Sequence, residues 1–271
     1  MSAPEASNIG VAAMRSLLTD ATDPLYVLRP APATLELLVQ AADADAPLLH
    51  ILASKDDLRT VRRRFRLASS IAELSSQDQL TLTAATPAGR GTVLVTDETA
   101  HSIAHIDNER LLFEASSTPE SLLEACRQHH KAESFDLRTP AWGKVSETLV
   151  ESFNTDVKND FRFAIQEWTK TVDEPVLDTP EIALLVAGTH DLLFDDLLRW
   201  GEELSLASKE TFNRVKTAWV ENGILTSEKV PIGGGRSQLR LTLTDEYAAL
   251  STVELLNKAN EVVACRGNIA Y

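Results

Sequence analysis

Short apolar runs alternate with helical periodicities along the first half of the chain. "PLYVLRP" (Pro24–Pro30) predicts a strand, followed by a helix through "TLELLVQAADA". "PLLHILAS" (Pro47–Ser54) predicts a second strand, followed by a charged helix from Asp56 to about Leu74. "LTLTAATP" and "TVLVTD" predict further strands, and "HSIAHIDNERLLFEA" a hairpin turning at Asp107–Asn108. "STPESLLEACRQHHKA" predicts a helix with Ser117 or Thr118 as cap, Pro119 in its first turn and Glu120 behind it. Strands and helices in alternation predict an α/β sandwich around a partly parallel sheet.

From Pro140 to about Thr171 the pattern becomes helical throughout. Trp142, Val145, Leu149 and Phe153, then Phe161, Ile165 and Trp168, recur at spacings of three and four. "VDEPVLDTP" (Val172–Pro180) is a Pro- and Asp-rich break and the best domain boundary. Beyond it the pattern predicts a helix from Glu181, a helix through "LLFDDLLRWGEEL", a turn "SLA" and a helix from Ser208 to Asn222. Two strands, "ILTSEKV" and "SQLRLTL", and a last helix from about Asp245 to Val263 follow. The fold class is therefore α/β: an N-terminal α/β sandwich-type regulatory or sensor domain over residues 1–138, a helical connector over 139–173, and a C-terminal winged helix-turn-helix with a final helix over 174–271.

Composition narrows the class. At 271 residues, 44% hydrophobic and 24% charged, the chain reads as globular. No apolar run is long enough to span a bilayer, and "MSAPEASNIGVAAMRSLL" lacks the pattern of a secretory leader, so a cytoplasmic location is expected. Cys126 and Cys265 stand far apart, which suggests neither a disulfide framework nor a zinc site. Forty Asp plus Glu against 26 Lys plus Arg give a formal net charge of −14, scattered along the chain. High net charge keeps molecules apart and hydrated, as solubility in concentrated salt requires. A saline cell interior is the preferred reading, an ordinary acidic protein the plain one.

Against that background one island is basic. Between Ser208 and Leu243, Lys209, Arg214, Lys216, Lys229, Arg236 and Arg240 face only Glu210, Glu221 and Glu228. Three helices followed by a hairpin is the order of a winged helix-turn-helix, whose third helix enters the DNA major groove. At 100° per residue, Phe212, Val215 and Trp219 form a buried stripe on that helix. Glu210, Asn213, Arg214 and Thr217 lie opposite, with Lys209 at the start and Lys216 at the flank. Asn suits adenine, Arg suits guanine, and Thr can meet a thymine methyl. Ser208 is a natural N-cap, and Gly223 a left-handed helix stop. Three glycines before Arg236 allow a tight wing tip, with Lys229 and Arg240 on its arms, so the six cations could converge on one phosphate track. The expected partner is double-stranded promoter DNA, bound by Ser208, Lys209, Asn213, Arg214, Lys216, Thr217, Lys229, Arg236 and Arg240. The alternative is a winged-helix protein-interaction scaffold without direct DNA binding.

The stretch "LASKETFNRVKTAWVENGILTSEKVPIGGGRSQLRLTL" is similar to the C-terminal segment of the haloarchaeal TbsP family of transcriptional regulators. "LLVAGTHDLLFDDLLRWGEELSLASK" and "FDLRTPAWGKVSETLVESF" resemble it too, as does the order of an α/β region before a winged helix. The resemblance implies a sequence-specific DNA-binding regulator linked to central sugar metabolism in a halophilic archaeon. At the wing it leads one to expect Gly-Arg-Pro followed by basic residues. Here the chain reads Gly235-Arg236-Ser237-Gln238, a less charged tip.

The remaining candidates are weighed against structural roles. Arg59, Arg62, Arg63 and Arg66 share one face at helical spacing and form a candidate anion or effector site for a small metabolite; a solvated face pairing with the chain's own carboxylates is the plainer reading. Cys126, His129 and His130 lack further ligands at metal-binding spacing, and His101 and His105 are expected to be structural. Trp200 and Trp219 are expected in the core. Asp97 follows a strand, as a receiver's phospho-acceptor would, but the acidic pair of a receiver's first strand is missing. No GxGxxG, P-loop, GxSxG or HExxH occurs, so neither an enzyme nor a cofactor is expected. A homodimer is expected, because paired half-sites multiply specificity, with the final helix (Leu250, Val253, Leu255, Leu256) and the connector as candidate interfaces.

Overall fold

The computed structural model describes residues 7–21, 24–85, 87, 89, 91–106, 109–115, 120–172, 176–231 and 237–267. The predicted turn at Asp107–Asn108 and the cap residues Ser117, Thr118 and Pro119 lie outside them. The chain divides into two compact units, Met1–Ala141 and Trp142–Tyr271.

The first unit is a seven-stranded mixed sheet between helices. Its elements in chain order are β1 (Ser7–Asn8), α1 (Val11–Asp20), β2 (Leu25–Leu28), α2 (Pro32–Ala41), β3 (Leu49–Ala53), α3 (Lys55–Arg62), α4 (Phe65–Ser76), β4 (Leu80–Ala84), β5 (Thr92–Val95), β6 (Ala100–Ile106), β7 (Glu109–Ala115) and α5 (Glu120–His130). The spatial order is β1-β7-β6-β5-β2-β3-β4. Only β2–β3 and β3–β4 are parallel, and each is joined by the helical crossover that parallel pairing requires. Alternate residues of a strand face opposite sides. Leu25, Val27, Ile51, Leu94 and Ile103 accordingly meet the helices α1 to α4 in the main core. Tyr26, Leu28, Leu52 and Val95 meet Leu123 and Cys126 of α5 on the other side.

The charged helix expected from Asp56 to Leu74 is two helices. Arg64 departs from helical geometry (φ −96, ψ 84) between α3 and α4. In one straight helix Leu67 and Ile71 would project about 180° and about 140° away from Leu58 at 100° per residue. The break re-phases the chain, so Leu58, Val61, Leu67 and Ile71 are all buried. The four arginines therefore do not line one continuous helical face.

The second unit contains α6 (Trp142–Ser152), α7 (Thr155–Arg162), a π-helical segment (Phe163–Trp168) and α8 (Thr169–Thr171). After the break come α9 (Thr179–Thr189), α10 (Phe194–Glu203), α11 (Lys209–Glu221), the antiparallel pair β8 (Leu225–Pro231) and β9 (Ser237–Leu243), α12 (Asp245–Ala248) and α13 (Thr252–Gly267). α9 is buried almost all round, including Ile182 to Ala187, and is the helix the others pack upon. The helices between Trp142 and Thr171 pack within this unit. Trp200 Nε1 donates to Thr148 Oγ1 at 3.1 Å, and Trp168 Nε1 to Asn257 Oδ1 at 2.8 Å.

The single final helix expected from Asp245 is also divided. Ser251 and Glu254 form a reciprocal cap that starts α13 (Ser251 N to Glu254 Oε2, 2.9 Å). Leu255 and Leu256 turn into the unit's own core, while Val253 stays outside, 44% exposed. Asn154 starts α7 by accepting from the backbone of Asp156 and Val157 at 2.9 and 3.0 Å. Asn154→Ala should lower stability by about 1 kcal/mol, read as a shift in the denaturant midpoint with unchanged slope.

Candidate nucleic-acid interface

The α10–α11 pair is a helix-turn-helix held at close range. Gly201 faces the ring of Phe212; a Cβ built there would lie 2.5 Å from Phe212 Cε2. The turn closes through Ser205, whose φ of 54 places it in the left-handed region, with Leu206 N bonded to Gly201 O at 2.9 Å. Ser208 then caps α11 by accepting from Thr211 N at 3.2 Å. Phe212, Val215 and Trp219 are buried as the projection predicts. Gly223, at φ 66, ends the helix, with Ile224 N bonded to Trp219 O at 3.0 Å. Leu193 forms a β-bridge with Arg240, and Leu241 N bonds Leu192 O at 2.9 Å. The segment before α10 thus joins the β8–β9 ribbon, completing the small sheet of a winged helix.

One outward face of α11 collects Glu210, Asn213, Arg214 and Thr217, all exposed. Asn213 Nδ2 donates to Lys209 O and Thr217 Oγ1 to Asn213 O, both at 2.9 Å. Asn213 thus spends one of its two amide N–H donors on the helix backbone. The flanking lysines turn towards α10: Lys209 pairs with Glu202 at 3.1 Å, and Lys216 Nζ sits 4.5 Å over the ring of Phe194. The ribbon separates its two cations. Lys229 lies opposite Leu239, on the face that carries Leu225 and Leu241, while Arg240 lies opposite Glu228 on the other. These two do not converge on one track. Arg236 and the rest of the tip, residues 232–236, lie outside the described residues.

The sequence reading missed an acid pair beside Arg214. Asp178 and Glu181 form the capping box of α9, with Asp178 N donating to Glu181 Oε2 at 2.8 Å. Burial raises Glu181 from its usual 4.5 up to about 7; the neighbouring Asp178 charge adds to this and the Arg214 guanidinium opposes it. "DTPE" announces the cap, but its reach to Arg214 depends on how α9 meets α11. In the folded unit Glu181 keeps its proton up to about 7, whereas the unfolded chain releases it near 4.5. The native state binds the extra proton within that window, so this group's stabilisation is complete below 4.5 and is lost as pH rises through 7. Glu181→Gln retains an acceptor for Asp178 N and should flatten that slope, measured by denaturant unfolding across the window.

The structure places the other candidates as follows. Arg59 pairs with Asp56 at 2.9 Å, and Arg66 and Arg64 reach Glu36 at 3.2 and 3.7 Å. Arg62 and Arg63 are exposed. The His130 ring lies against His50, centroids 3.8 Å apart, and burial pushes the Cys126 thiol up to about 11. His105 Nε2 and Thr34 Oγ1 are hydrogen-bonded at 2.9 Å. Among the described residues no group of three or more His, Cys, Asp or Glu is placed to hold a metal ion. The strand before Asp97 runs antiparallel to β2, which is not the placement of a receiver's acceptor. Trp200 and Trp219 are core residues, 2% and 1% exposed.

Among the described residues no helix is long and apolar enough to cross a membrane. Comparison with curated proteins and with solved structures returns no match. Comparison with family models matches residues 5–140 to the N-terminal domain described as transcriptional regulator TbsP-like. Residues 141–260 match the C-terminal HTH domain of the same description. The helix-turn-helix built around Gly201 and Phe212 falls within that second match, and the chain belongs to the TbsP-like family of transcriptional regulators.

Proposed function

We propose that this regulator binds double-stranded promoter DNA sequence-specifically, with α11 in the major groove and the β8–β9 ribbon beside the backbone. The observation that carries the reading is the outward face of α11. Asn213, Arg214 and Thr217 stand exposed together while Phe212, Val215 and Trp219 anchor the opposite side. Those three residue types match adenine, guanine and thymine edges. Ser208, Lys209, Lys216, Lys229, Arg236 and Arg240 are the proposed supporting contacts, Arg240 standing opposite Glu228 in the ribbon. The first 138 residues serve as the regulatory or sensor domain, with a small metabolite as effector. Two copies bind paired half-sites. The scattered acidity supports a halophilic host, and the central sugar metabolism target rests on the family resemblance. In high salt, counterion release adds little, so base and water-mediated contacts carry more of the affinity.

A protein-docking winged helix is favoured by one observation: Lys209 and Lys216 are engaged by Glu202 and Phe194, and Glu210 shares the reading face. Binding of promoter-derived duplexes at the host's potassium level separates the readings. Arg214→Ala with Arg236→Ala should weaken binding at least tenfold, since one good bidentate base contact is worth about 1–3 kcal/mol. Unchanged affinity would move the site elsewhere. A wild type indifferent to promoter over bulk DNA would leave the docking reading.

A further inference from the structure

The first unit holds a cleft of about 440 Å³ between α1 and the sheet, within the size range of small-molecule sites. Its apolar wall comes from Leu17, Leu25 and Leu112. Its polar groups are Ser16, Asp20, Thr96, Thr99, His101 and Glu114. The formal charges among the lining residues are therefore Asp20 and Glu114, both negative; among the described residues no Lys or Arg lines the cleft. Burial lowers the His101 pKa, against the opposing charge of Glu114 across the β6–β7 pair, so the imidazole brings no positive charge near neutral pH. Two basic groups on the elements that form the cleft do not supply one. Arg15 of α1 sends its guanidinium to the carbonyls of Ala41 and Gln40, and Arg110 lies four residues along β7 from Glu114, outside the lining.

A carboxylate or phosphate entering this cleft would lose its water shell without gaining a counter-charge, and would approach two carboxylates. An ammonium on an apolar body meets the opposite conditions. Asp20 and Glu114 supply the counter-charge, the neutral imidazole and the hydroxyls supply acceptors, and the leucines cover the body. Ser16 Oγ to Asp20 Oδ2 is long, at 3.4 Å, and the Asp20 side chain makes no ion pair among the described residues.

We propose that this cleft is the effector site of the regulatory unit and that it takes a small organic amine in its cationic form, not a phosphorylated sugar or other anion. The claim is independent of which face of α11 meets DNA. The probes are tryptamine, with indole-3-propionate and glucose 6-phosphate as anionic counterparts, titrated into the full chain by calorimetry and thermal shift. Tryptamine should raise the melting temperature progressively, as the logarithm of its concentration above the dissociation constant, while the two anions leave it unchanged. Glu114→Gln with Asp20→Asn should weaken tryptamine binding at least tenfold, and Leu17→Trp, which fills the cleft, should do the same while retaining both carboxylates. Arg62→Ala should change nothing. Stronger binding of either anion, no binding of tryptamine at millimolar concentration, or equal binding by the double variant would each overturn the proposal.

Discussion

Trp200→Ala should lower the unfolding free energy of the second unit by about 3–5 kcal/mol, the range for removing a large buried aromatic side chain. Trp200 is 2% exposed and meets Phe161 edge-on, with ring centroids 5.6 Å apart at 87°, and Phe153 at 6.3 Å and 70°. Its indole N–H also reaches Thr148. The alanine variant loses the ring contacts and leaves a cavity bordered by three helices, which cannot all close on it. The Thr148 hydroxyl is not stranded, because it also bonds Lys144 O at 3.0 Å. The loss is therefore mostly packing, and Trp200→Phe should recover most of it. Denaturant unfolding of the full chain, followed by far-ultraviolet circular dichroism, measures both. A loss below about 1 kcal/mol would mean that the indole is not a keystone of the core.

At the next residue the opposite change has the second largest effect. An alanine at Gly201 would improve helix propensity by about 0.5–1 kcal/mol. Its Cβ would also lie 2.5 and 2.7 Å from Cε2 and Cζ of Phe212. Phe212 is fully buried, so its ring cannot swing aside into solvent. α10 and α11 must then separate, and overpacking of this kind costs about 1–3 kcal/mol. The net expectation is destabilisation, with DNA affinity falling further than stability alone explains because α11 is re-aimed. Phe212→Leu makes room, so the double variant should be more stable than the sum of the single changes. A Gly201→Ala protein that is more stable than wild type would show that propensity outweighs the contact.

What could be read from the sequence was local. Ser208, the stripe Phe212–Val215–Trp219 and Gly223 all act within one helix or one turn, and each stands where it was expected. Three helices of the winged module close through a left-handed residue, at φ 53, 54 and 66. Only the third is a glycine; Asp191 and Ser205 carry no comparable signal. The division of α3 from α4 was hidden because Arg64 sits in a charged run that looks helical, and only core phasing reveals the break. The start of α13 did have a signal, S-x-x-E at Ser251 and Glu254, masked by the helical pattern on both sides. β1 and α1 were not anticipated: a two-residue strand has no readable period, and its partner is 105 residues further on, by the pairing of Ser7 with Leu112.

The ribbon is a matter of parity. Whether Lys229 and Arg240 share a face depends on the pairing register, and a slip of one residue exchanges the faces. The glycine-rich tip leaves that register open at the level of sequence. The observed pairing of Glu228 with Arg240 decides it. Likewise Asp178 and Glu181 stand at capping-box spacing, but no spacing makes them electrostatic neighbours of Arg214, since that depends on helix packing.

The central claim is that α11 reads bases, and selection of bound duplexes from a random library, at the host's potassium level, tests it most directly. Wild type is predicted to enrich one motif, with a guanine position whose selection disappears in Arg214→Ala while the rest of the motif survives. No enriched motif for wild type, or an unaltered motif for Arg214→Ala, would contradict the account.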